Sequence, residues 1–72
     1  MTSSALAQLL LRHPFQPFTI HLPGWDETIS VDRPEQVHHE RGERVIIVDL
    51  PSGGEAIIDL DLVGLIEVHK RR

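Results

Sequence analysis

Residues 44–60 read RVIIVDL, then PSGG, then EAIIDL, and this stretch decides the fold. Its first part, Arg44 to Leu50, carries Val45-Ile46-Ile47-Val48 with no polar interruption. β-branched side chains crowd a helix but sit well on a pleated surface, so the run reads as a strand. Pro51-Ser52-Gly53-Gly54 supplies a turn, and Glu55-Ala56-Ile57-Ile58-Asp59-Leu60 is the returning strand. The lack of alternation in Val45–Val48 points to burial on both faces, or to cover by a partner.

Upstream, Phe18-Thr19-Ile20-His21-Leu22 alternates strictly, with Phe18, Ile20 and Leu22 on one face. Pro23-Gly24-Trp25-Asp26 is turn chemistry, and Glu27-Thr28-Ile29-Ser30-Val31 alternates again, so a second hairpin is expected. Between the hairpins, Asp32 to Glu43 is polar, with one helical turn at Pro34–Val37 that points Val37 inward. Downstream, Asp61-Leu62-Val63-Gly64-Leu65 fits one tight turn, and Ile66-Glu67-Val68-His69 closes as a short strand. At the start, Ser3 or Ser4 caps a helix of about two turns. Leu6, Leu9, Leu10 and His13 share one face of it, and Pro14 stops it. Pro14-Phe15-Gln16-Pro17-Phe18 is a stiff connector whose rings anchor the helix to the body.

The expected architecture is therefore mainly β, α+β by content, in a single domain over residues 1–72. The helix spans about 4–12 and the strands about 17–22, 27–32, 44–50, 55–60 and 66–69. Five short strands in so small a chain imply a strongly bent antiparallel sheet that closes on itself, its open end plugged by the helix. An open meander with the helix across one face is the rival arrangement.

From Arg12 to Leu22 the chain resembles a group of short bacterial proteins of unknown function that open Arg-x-Pro-Phe-x-Pro-Phe-x-Ile-x-Leu. Arg33-Pro34-Glu35, Val45 to Asp49, Ile58-Asp59-Leu60 and Ile66-Glu67-Val68 extend the resemblance along nearly the whole chain. It departs at the first turn, Pro23-Gly24-Trp25-Asp26, where that group carries Asp-Gly. The group implies no activity. The order of elements is also similar to SH3-like and Sm-like small barrels, and the Sm-like proteins imply ring assembly and RNA binding.

Composition excludes several functions. A chain of 72 residues buries only roughly 60% of its unfolded surface, so its core is thin. It has no cysteine, which removes disulfides, thiolate metal sites and a cysteine nucleophile, and fits a cytoplasmic setting. The N-terminal apolar segment lacks the early cations of a secretory signal, and no apolar run approaches a membrane span. The net charge is −4; without the tail Lys70, Arg71 and Arg72 it is −7, which repels nucleic acid. No nucleophile elbow or phosphate loop is present, and so small a chain hardly builds a water-excluding cleft, so no catalysis and no cofactor are expected.

What remains is binding. Thin core, apolar strand and open sheet edges leave surface wanting a partner, so a self-associating interaction or scaffold module is expected. The partner is a second copy in a dimer or ring, or a protein encoded by a neighbouring gene. Trp25 at a loop tip, with Val45, Ile47 and Ile57, are the contact candidates. An RNA-binding alternative would place Arg41, Arg44, Lys70, Arg71 and Arg72 on phosphates. A second alternative is a metal- or ligand-responsive regulator that uses His38 and His39, although adjacent histidines on an extended chain point to opposite sides. His21 and His69 face away from the core and become neighbours if the first and last strands pair.

Overall fold

Both hairpins form, but they belong to different sheets. A computed structural model describes residues 1–70. It contains α1 (Ser3–Leu10), β1 (Phe18–His21), β2 (Thr28–Val31), β3 (Val37–His38), β4 (Val45–Asp49), β5 (Glu55–Asp59) and β6 (Leu65–Val68). Single 3₁₀ turns occupy Pro34–Gln36 and Leu60–Leu62. The first sheet has the order β2-β1-β6 and the second β3-β4-β5, every neighbour antiparallel. The single five-stranded sheet expected from the sequence is thus two three-stranded sheets, and neither closes into a barrel.

The division follows from the polar stretch after β2. Its 3₁₀ turn leads directly into β3, which pairs Val37 with Val48 and His38 with Ile47. A sixth strand therefore stands where only a helical turn was expected. Val37 does point inward, at 9% exposure.

Side chains alternate across each strand, and each sheet sends one set into a shared core. Phe18, Ile20 and Val31 come from the first sheet, and Val37, Ile46, Val48 and Ile58 from the second. Val45–Val48 is accordingly not buried on both faces: Ile46 and Val48 are inside, Val45 is exposed and Ile47 half-buried. Leu60 enters from its 3₁₀ turn and Leu6 from α1, both essentially fully buried. Phe15 packs on Phe18, ring centroids 6.0 Å apart. The Cα radius of gyration, 11.4 Å, matches the roughly 11 Å of a compact chain of this length.

The helix is shorter than the sequence implied and starts differently. Thr2, not Ser3 or Ser4, is the N-cap, its Oγ1 accepting from Ala5 N–H at 3.1 Å. His13 lies beyond the C-terminus of α1 and does not share its buried face.

One side chain stitches the sheets together. The Oε1 atom of Gln36 accepts from Asp32 N–H (2.7 Å) and Arg33 N–H (3.0 Å). Its Nε2 donates to the carbonyls of Ser30, at the β2 end, and Asp49, at the β4 end (3.3 and 3.1 Å). Neither element ladder supplies partners for these four backbone groups, and one amide satisfies all of them.

Candidate protein-docking surface

The seam between the two sheets is open along β5. On one side stand Leu22, Pro23 and Trp25 of the β1–β2 turn and Ile29 of β2; on the other stands the whole of β5, Glu55–Asp59. The groove between them has a volume of about 730 Å³ and is floored mostly by apolar side chains. Leu62 and Val63 close its end.

Local geometry explains each rim. Trp25 N–H donates to Leu22 O at 3.1 Å, and Gly24 takes φ +82°, a left-handed value that favours glycine. This turn lifts the indole clear of the core, at 70% exposure. Gly64 lies beneath it: its N–H donates to His21 O, and a Cβ there would come 2.8 Å from Pro23 Cγ. Opposite, Asp59 Oδ1 accepts from Asp61 N–H at 2.9 Å and caps the 3₁₀ turn that presents Leu62. Ile57 is 74% exposed and Leu62 65% exposed. A smaller hollow of about 310 Å³ continues past Trp25 to Leu65.

The backbone of β5 is open on the same side. Leu50 N–H donates to Gly54 O and Leu60 N–H to Arg44 O. In an antiparallel ladder these contacts place the hydrogen-bonded pairs at every second residue, so Ala56 and Ile58 face β4. The N–H and C=O groups of Glu55, Ile57 and Asp59 then point away from β4, where no other strand pairs among the described residues. Their side chains share the outer face, with Ile57 opposite Ile47 and Asp59 opposite Val45.

Of the four contact candidates, Trp25 and Ile57 meet on this groove, while Val45 and Ile47 lie on the outer face of β4 behind it. Leu62 belongs with the first two. Within Asp61–Leu65, which fits one tight turn, no periodicity marks Leu62 for exposure.

Comparisons with protein-family models, with curated proteins and with solved structures gave no match.

The remaining candidates are dispersed. His38 Nε2 lies 2.9 Å from Asp49 Oδ2, whereas His39 Nε2 lies 2.7 Å from Ser3 Oγ at the start of α1. The two imidazoles diverge, and no group of three metal-ligating side chains occurs among the described residues. Ser3 Oγ also accepts from Gly42 N–H at 3.2 Å, which ties the helix to the β3–β4 loop. The first and last strands do pair, yet His21 and His69 take separate partners. His69 Nε2 is 2.7 Å from Thr19 Oγ1, and His21 Nε2 is 3.3 Å from Glu67 Oε1. Among the basic residues, Arg44 is shared by Asp59 (3.2 Å) and Asp61 (3.8 Å). Arg41 is in the β3–β4 loop and Lys70 follows β6; Arg71 and Arg72 lie outside the described residues. No helix among the described residues is long and apolar enough to cross a membrane.

Proposed function

We propose that this chain is a non-catalytic protein-interaction module, SH3-like or Sm-like in build, that docks an extended polypeptide segment along β5. The observation that carries the reading is the coincidence of three features. A strand edge has no pairing strand among the described residues, an isoleucine at its centre is 74% exposed, and an apolar groove rimmed by Trp25 runs alongside. An incoming strand gains backbone hydrogen bonds from Glu55, Ile57 and Asp59, and alternate side chains of it drop into the groove. An edge left bare is an aggregation hazard, which supports a partner as its normal complement. A second copy of this chain is one form that partner takes under this reading, which gives a dimer or a ring.

The test is a displayed peptide library selected on the wild-type chain and counter-screened on Ile57→Pro. Proline at position 57 removes an outward N–H while the ladder to β4, carried by residues 56 and 58, stays intact. Selected peptides should show period-two apolar alternation and lose binding to Ile57→Pro. Ile57→Lys, which changes only an exposed side chain, guards against a folding defect in the proline variant. Peptides that bind both variants as well as wild type would overturn the reading.

A further inference from the structure

We infer that the segment β5 receives is a strand of a different protein, apolar toward the groove and basic on its outer face. This rests on the docking reading above and adds the identity of the occupant. The outer face of β5 reads Glu55, Ile57, Asp59, and Asp61 follows at the start of the groove's end wall. Arg44 is the cation that answers Asp59 and Asp61, and it leaves Glu55 without an ion-pair partner among the described residues. Residues directly opposite each other in an antiparallel pair share a face with Cβ atoms roughly 5 Å apart, so like charges there repel and opposite charges attract. A Lys or Arg opposite Glu55 and another opposite Asp59, with an aliphatic residue between them on Ile57, complements this face. The two intervening residues face Ala56 and Ile58 and enter the groove, where small or medium aliphatic side chains fit.

A second copy fits less well. Because the outward backbone groups belong to residues 55, 57 and 59, two β5 strands can pair only in registers that oppose odd residues. Centred on Ile57, the pair sets Glu55 against Asp59 of the second copy, twice, and the one Arg44 beside Asp59 is already shared with Asp61. A slide of two residues one way sets Glu55 against Asp61 and Ile57 against Asp59. A slide the other way breaks the isoleucine contact and sets each Ile57 against a glutamate. Head-to-tail growth of the sheet into a ring would use the far edge, β3, which is only Val37–His38.

The experiment titrates three capped peptides into the chain and follows Trp25 fluorescence and the backbone amide resonances of Glu55, Ile57 and Asp59. The peptides carry Lys-Val-Ile-Val-Lys, Ser-Val-Ile-Val-Ser or Glu-Val-Ile-Val-Glu. Sedimentation from micromolar to millimolar concentration is run in parallel. Two exposed ion pairs should make the Lys peptide bind roughly fivefold more tightly than the Ser peptide, with the Glu peptide weakest. The Lys preference should vanish at molar salt. It should also vanish in the isosteric Glu55→Gln/Asp59→Asn double variant, which retains the Asp59 capping oxygen. Equal binding of the Lys and Ser peptides overturns the basic partner but leaves the docking surface standing. A dimer that forms through β5 and excludes all three peptides likewise overturns it in favour of self-association. No peptide binding together with a monomer at all concentrations overturns both this inference and the docking reading.

Discussion

Gln36 illustrates how much one polar side chain can hold in a domain with so thin a core. Its amide contacts Asp32 and Arg33 by one end and Ser30 and Asp49 by the other. Removal of it leaves two donors and two acceptors of the backbone to find water, the acceptor at Asp49 being partly buried and the other three groups exposed. Gln36→Ala should therefore lower unfolding free energy by roughly 0.5–1.5 kcal/mol, read from urea denaturation. Gln36→Glu tests the division of labour. It keeps the acceptor for Asp32 and Arg33 but loses the N–H groups given to Ser30 and Asp49. It should restore only part of the loss. Full recovery in Gln36→Glu would mean that the bridge to β4 contributes little. Nothing in the sequence marks this glutamine, because its role exists only once the ends of β2 and β4 are side by side.

At the scale of elements, the turn that raises Trp25 and the turn that starts β6 are in direct contact. A methyl group at position 64 would meet the rigid ring of Pro23 at 2.8 Å, and a proline ring cannot rotate out of the way. Gly64→Ala should cost roughly 1–3 kcal/mol by overpacking. It should also shift the Trp25 emission, since the strain falls on the turn that carries the indole. Gly54→Ala is the control: its nearest neighbour is Leu50 Cδ1 at 4.0 Å, and a small gain from a stiffer unfolded chain is expected there. If both variants are equally stable, the close approach at Gly64 is unimportant. The elements themselves were legible where they are long enough to show a period. Phe18–Leu22 and Glu27–Val31 alternate, and Leu6, Leu9 and Leu10 repeat at helical spacing. β3 was not, because two residues carry no periodicity. The exposure of Trp25 and Ile57 could be suspected from large apolar side chains at a loop tip and on an outer face. Their convergence on one groove depends on how the sheets are set against each other.

At the scale of the whole molecule, the sequence pattern favoured one curled sheet, and the structure has two. Alternation fixes which face of a strand is buried, but not which strands are neighbours. Phe18, Ile20 and Val31 are buried as their alternation implies, whereas of Val45–Val48 only Ile46 and Val48 enter the core. What separates the two arrangements is the polar stretch after β2, which turns the chain over before β3 begins. The two sheets also differ in how far apart their strands lie along the chain. β3, β4 and β5 follow one another between residues 37 and 59, whereas β6 must return to β1, as in the contact of His21 with Glu67 across 46 positions. Closing a long loop costs entropy before any contact repays it, so the contiguous meander should assemble early and β6 should zip onto β1 after the rate-limiting barrier. In stopped-flow experiments Ile46→Val should then slow refolding, while Ile66→Val should leave refolding unchanged and speed unfolding. A chain with that order of events would shed its last strand first, and the time it spends folded would be governed by its C-terminal strand.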